Sequence, residues 1–90
     1  MRSNQRFALY TKGFCVYCTY VKHAIDKLGL DIEFRDIGKD AQHRADLLAA
    51  TGRATVPVLR IAHDDGREEW MPESRDIVRY LESQYVAQAR

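Results

Sequence analysis

Ninety residues with a net charge of +1 and 46% hydrophobic side chains suit one soluble domain whose modest core hides roughly two thirds of the unfolded surface. Acids are interleaved with the basic residues, so there is no basic face for nucleic acid, and no segment approaches the roughly 20 apolar residues of a membrane span. The polar start Met1-Arg2-Ser3-Asn4-Gln5-Arg6 and the short apolar stretch after it do not suit a signal peptide, which makes a cytoplasmic location the expectation.

Phe7 to Tyr10 reads as a short, fully buried strand. Thr11 to Phe14 forms a loop with Gly13 as its flexible point. A helix follows over Cys15–Leu28, with Val21, Ala24, Ile25 and Leu28 at helical spacing and Gly29 placed to end it. Asp31 to Ile37 alternates as a second strand, with Ile32, Phe34 and Ile37 inward. Strand, helix and strand in this order make a parallel unit with a right-handed crossover. A second helix fits Asp40–Thr51, with Ala41, Ala45 and Leu48 on its buried face and Gly52 after it. Thr55–Ala62 is a third strand, His63 to Gly66 a hairpin turn, and Arg67–Met71 the returning strand. A last helix starts near Ser74 and buries Ile77, Val78, Leu81 and Tyr85. The order βαβαββα predicts an α/β domain, one unit over residues 1–90, with a four-stranded mixed sheet and helices on both faces.

The chemistry is concentrated in Tyr10-Thr11-Lys12-Gly13-Phe14-Cys15-Val16-Tyr17-Cys18. Two cysteines in a reducing compartment are rarely a structural staple. A Cys-x-x-Cys pair that follows a strand and opens a helix is a redox arrangement. Cys15 falls at the helix start, where unpaired N–H groups and the positive end of the dipole favour a thiolate. Lys12 adds a positive charge. A free thiol with a pKa near 8.5 is only about 3% ionised at pH 7, so such help changes its reactivity. Cys18 lies one turn deeper, near enough to form a disulfide and too sheltered to attack first. The competing readings are an inert pair and a zinc site. Zinc needs two further ligands from His23, His43 and His63, whose spacings fit no common zinc pattern; no metal is expected.

Two further segments stand out. In Thr55-Val56-Pro57, a proline interrupts an apolar run although it cannot donate to a sheet ladder. A cis Val56–Pro57 bond would expose the Val56 backbone to an extended thiol substrate; the plain alternative is a trans proline beginning an edge strand. In Pro72-Glu73-Ser74, Ser74 reads as a helix cap. The same helix end can also take a substrate carboxylate, with Glu73 beside it for an ammonium group.

Together these residues resemble glutaredoxins over nearly the whole chain. Tyr10-Thr11-Lys12 with Cys15-Val16-Tyr17-Cys18 is similar to that family's active-site segment, and Thr51-Gly52 with Thr55-Val56-Pro57 to its second helix end and proline loop. The resemblance implies a thioredoxin fold and a groove for glutathione as co-substrate. It also implies that Lys12 and Arg44 hold the glycine carboxylate, Tyr17 flanks the sulfur, and Thr55 and Val56 pair with the peptide backbone beside Pro57. Two features depart from the pattern. Val16 replaces a usual proline, and Trp70-Met71-Pro72-Glu73-Ser74 replaces a glycine- and aspartate-containing loop. That second stretch is similar to the N-terminal domain of glutathione transferases, where Glu-Ser grips the γ-glutamyl end.

The expected activity is reduction of protein disulfides or glutathionylated proteins by a monomer, with Cys15 as nucleophile and Cys18 as resolving thiol. Three alternatives share the same residues. One is a redoxin served by a flavoprotein reductase or another small thiol. Another is an iron–sulfur carrier ligated by cysteine and glutathione. The third is a glutathione-binding module without catalysis.

Overall fold

The structure, a computed structural model, describes residues 6–88, with side chains described as far as Gln84. Its elements are β1 (Arg6–Thr11), α1 (Val16–Leu28), β2 (Glu33–Asp36), α2 (Ala41–Thr51), β3 (Val58–Ala62), β4 (Glu68–Met71) and α3 (Ser74–Gln88). They form one four-stranded sheet in the order β2-β1-β3-β4. β1 runs parallel to β2 and antiparallel to β3, and β3 is antiparallel to β4. This is the α/β, thioredoxin-like arrangement that the sequence predicts.

Alternation along β1 and β3 supplies both faces of the sheet. Leu9, Leu59 and Ile61 face one way and join Val21 and Ile25 of α1 and Ile77 and Leu81 of α3 in the larger core. Ala8, Tyr10 and Val58 face the other way and meet Leu47 of α2. Tyr10 is fully buried, and its hydroxyl accepts a hydrogen bond from Arg35 at 2.8 Å, so burial leaves that group satisfied. α1 ends at Gly29 in the left-handed conformation, φ 69°, with its N–H turned back to the Ile25 and Asp26 carbonyls, the closure that glycine permits most cheaply.

Three local expectations are corrected. On α2 the buried anchor is Leu47, whereas Ala41, Ala45 and Leu48 are exposed; adjacent leucines point about 100° apart, and the sheet takes the first. Phe34 remains 47% exposed. It lies on an edge strand with the Lys22 ammonium 5.4 Å over its ring, so it is only partly roofed. Ser74 is the first helical residue of α3, and the Ile77 N–H bonds the Glu73 carbonyl at 2.8 Å. The capping position therefore falls on Glu73. The expected burial of Tyr85 lies outside the described side chains. Among the described residues no helix is long and apolar enough to cross a membrane.

Candidate active site

The sheet gathers three distant segments at one end. β1 ends at Thr11, and its antiparallel neighbour β3 begins at Val58, opposite Tyr10. Met71, the last residue of β4, lies opposite Leu59. The loops that carry Cys15, Pro57 and Glu73 thus emerge side by side.

Cys15 is the N-cap of α1, in extended conformation (φ −118°, ψ 114°), and its sulfur accepts the Cys18 N–H at 3.3 Å. Its carbonyl takes the Thr19 N–H at 3.0 Å and the Thr19 hydroxyl at 3.1 Å. The residue before it, Phe14, has φ 57° and a fully exposed side chain. Left-handed backbone costs a non-glycine residue about 1–2 kcal/mol, and here it aims the chain into the helix. Both thiols are free, Cys15 partly exposed and Cys18 buried.

The environment separates their acidities. Partial burial by itself would raise the Cys15 thiol. Hydrogen bonding from the Cys18 thiol, the N–H groups of Cys18 and Tyr17, and the charge of Lys12 outweigh it, so its pKa falls below the ordinary value. Burial pushes the Cys18 thiol up, as does its hydrogen bond to Cys15, while the Thr11 hydroxyl and the Lys12 backbone pull the other way. Cys15 is therefore the more acidic of the two thiols and Cys18 the less acidic.

As a thiol, Cys15 directs its S–H towards the Val56 carbonyl, 4.0 Å away. The Val56–Pro57 bond is cis, and the β3 ladder begins only at Val58. Val56 is also on the wall of an open groove of about 660 Å³. That groove brings together Tyr17, Thr55, Val56, Pro57, Glu73 and Ser74 of the residues singled out in the sequence. At its far wall the Thr51 hydroxyl lies 2.9 Å from both the Leu47 and the Arg53 carbonyls and accepts the Arg53 N–H at 3.2 Å. This fastens the end of α2 to the proline loop. Three N–H groups of the first turn of α3 lack intrahelical partners, close to where Ser74 enters the groove.

Lys12 stands beside Cys15 through its charge and is not on the groove wall. Arg44 is not on the wall either. It lies in the first turn of α2, bonded through its N–H to Asp40, whereas the groove meets that helix at Ala50 and Thr51, about 9 Å further along the axis. The arginine on the wall is Arg53, and Trp70 joins it. Sequence reasoning missed both. Arg53 had a usable signal, two residues before Thr55 in the same loop. Trp70 opens the Trp70–Ser74 stretch noted in the sequence but was given no role there; it is placed by packing on Tyr10, with centroids 5.2 Å apart. Among the described residues no group of three His, Cys, Asp or Glu is arranged to hold a metal ion.

No curated protein matches the chain. Among solved structures it is similar to the maleylacetoacetate isomerase of Anaeromyxobacter dehalogenans 2CP-1 with glutathione bound in its active site. Identity is 24% and the TM-score 0.71, over 93% of this chain and 39% of that one. Glutathione transferase Omega 2S from Trametes versicolor is 14% identical with a TM-score of 0.76, over 93% of this chain and 38% of its own. The trimeric glutathione transferase TDR1 of Leishmania is 22% identical with a TM-score of 0.72, over 90% of this chain and 18% of its own. At these identities the likeness is one of fold, and the chain spans no more than 39% of the length of these proteins. The family model that matches, over residues 9–89, is that of the glutathione S-transferase N-terminal domain, and the chain belongs to that family.

Proposed function

We propose that this domain binds glutathione in the groove and catalyses glutathione-dependent thiol–disulfide exchange, the reaction of a glutaredoxin. The observation that carries the reading is the setting of the Cys15 sulfur. It caps α1 with its pKa lowered and lies 4.0 Å from the carbonyl of a groove-wall residue, Val56. Glutathione offers two carboxylates, an ammonium group and a peptide backbone. Thr55 and Val56 supply backbone for the peptide, Arg53 a charge for one carboxylate, and the α3 N-terminus with Ser74 an anion site for the γ-glutamyl carboxylate. Glu73 takes the ammonium. The isomerase structure with glutathione in its active site supports the same ligand.

In the proposed reaction, Cys15 thiolate attacks the glutathione sulfur of a mixed disulfide. The old S–S bond breaks, the other thiol leaves as a thiolate and takes a proton from water, and a Cys15–glutathione disulfide remains. A second glutathione thiolate then attacks that disulfide, restoring Cys15 and releasing oxidised glutathione. Alternatively, Cys18 expels the first glutathione. Family membership favours one second reading, in which the groove activates glutathione itself for transfer or isomerisation.

The deciding experiment is turnover of a glutathione mixed disulfide by the native protein, Cys15→Ser and Cys18→Ser. Cys15→Ser should lose the activity, and Cys18→Ser should keep a substantial part, since free glutathione replaces it as resolver. Equal loss in both excludes the monothiol route. Glutathione conjugation that survives Cys15→Ser unchanged, with no disulfide turnover in the native protein, selects the second reading.

A further inference from the structure

Thr11 is buried, 1% exposed at the end of β1. Its backbone is in use, the carbonyl accepting the Ile37 N–H at 2.9 Å. Its hydroxyl oxygen, however, is buried without a regular hydrogen-bond partner. A buried hydroxyl left in that state is costly and uncommon. The Cys18 thiol, itself 1% exposed, is the group this hydroxyl acts on: together with the Lys12 backbone, the next position in the chain, it favours the charged form of that sulfur against the effect of burial.

We propose that Thr11 is a positioning residue for the resolving step, its hydroxyl donating to the Cys18 sulfur when that sulfur must carry negative charge. The inference rests on the assignment of Cys15 as nucleophile and Cys18 as resolver made above. In the reduced site the negative charge falls on Cys15 before Cys18, and while it is there Cys18 keeps its proton and the Thr11 hydroxyl has no charged acceptor. Once Cys15 is capped as a mixed disulfide, that thiolate is gone, and with it the charge and the hydrogen bond that hold the proton on Cys18. The Cys18 proton leaves to water. The resulting thiolate attacks the Cys15 sulfur, a Cys15–Cys18 bond forms, the bond to the cap breaks, and the cap departs with the electron pair. Throughout that step the sulfur is buried, and the donors that remain to it are the Thr11 hydroxyl and the Lys12 N–H. An isosteric valine would leave the charge with one donor fewer.

The test uses 5,5′-dithiobis(2-nitrobenzoate), which needs no glutathione site. Attack by Cys15 releases one coloured thiolate, and closure by Cys18 releases the second. The second phase is followed in single turnover between pH 6 and 10 for the native protein, Thr11→Val and Thr11→Ser. We expect Thr11→Val to slow that phase about tenfold at pH 7 and to move its midpoint up by about one pH unit, a unit of pKa being tenfold in thiolate. The first phase should be unchanged, and Thr11→Ser should behave as native. A purely structural role predicts the reverse order, because valine keeps the shape and serine loses a methyl. A second phase that is the same in Thr11→Val as in native, or equally slowed in Thr11→Ser, overturns the proposal. If Thr11→Val does not fold, Thr11→Ala takes its place beside Thr11→Ser. A domain that fails to turn over glutathione disulfides while showing the Thr11 effect would refute the proposed activity and leave this inference standing.

Discussion

Three positions separate Cys15 from Cys18, and one turn of helix reverses the direction in which their acidity is moved. The partly exposed sulfur gains more from Cys18, Tyr17 and Lys12 than it loses to burial, whereas the interior sulfur loses more than it gains. The rate of iodoacetamide alkylation at Cys15 against pH should therefore show a midpoint below the free-cysteine value of about 8.5. Lys12→Gln should move it upward by only a small step, because its charge is the weakest of the causes acting there. A native midpoint at the free value would defeat the nucleophile assignment. Glu73 belongs to the same scale. It is exposed on the groove wall at the start of α3, where an ammonium group can meet it. A charge-assisted hydrogen bond is worth roughly 1.5–3 kcal/mol, and solvent reduces that to about tenfold in binding. Glu73→Gln should raise KM for a glutathione mixed disulfide about tenfold and leave a small disulfide without the γ-glutamyl group unaffected. Equal effects on both substrates would make Glu73 a structural residue.

α1 was legible because two independent signals coincide, its apolar period and the glycine at φ 69° that closes it. α2 offered only the second kind, a cap at Asp40 and Gly52 at φ 78°. Alanine occupies four of its eleven positions and carries little preference for either face, so Ala41, Ala45 and Leu48 made as good a stripe as the real one through His43, Leu47 and Thr51. Only contact with Tyr10 and Val58 selects Leu47, and that contact depends on a strand pairing remote in sequence. The consequence is measurable by urea unfolding. Leu47→Ala should cost roughly 2–5 kcal/mol, and Leu48→Ala about 0.5 kcal/mol or less. The opposite order would restore the stripe read from the sequence. The start of α3 shows a smaller form of the same difficulty. Ser74 is the better cap by residue type, yet the Glu73 carbonyl accepts the first helical bond, which moves the helix end by one residue.

At the scale of the molecule, the strand set followed from the periodicity of the sequence, but periodicity alone does not give the order β2-β1-β3-β4, because the β1–β3 pairing is antiparallel between strands that are not consecutive. That pairing is what carries Val56 to Cys15, so the site depends on the whole sheet and its thiols report on folding. The sign of that report differs between them. A thiol whose pKa is lowered in the folded state contributes stability that is fully present above the unfolded pKa of about 8.5 and is lost as pH falls through the folded value. Cys15 is of this kind. Cys18, raised chiefly by burial, is the reverse: the unfolded chain ionises first, so stability declines as pH climbs past about 8.5 towards the folded value. Each single serine variant leaves one thiol to titrate, and the double variant removes the background from lysines and tyrosines. Urea midpoints measured from pH 6 to pH 10 should show Cys18→Ser gaining on the double variant as pH rises towards 8.5, the serine hydroxyl donating to Cys15 where the Cys18 thiol did. Cys15→Ser should lose ground to it above that pH, since burial, the largest cause, survives the substitution. Curves that bend in the same direction would mean that the fold treats the two sulfurs alike, and the division of labour between them would fail with that result.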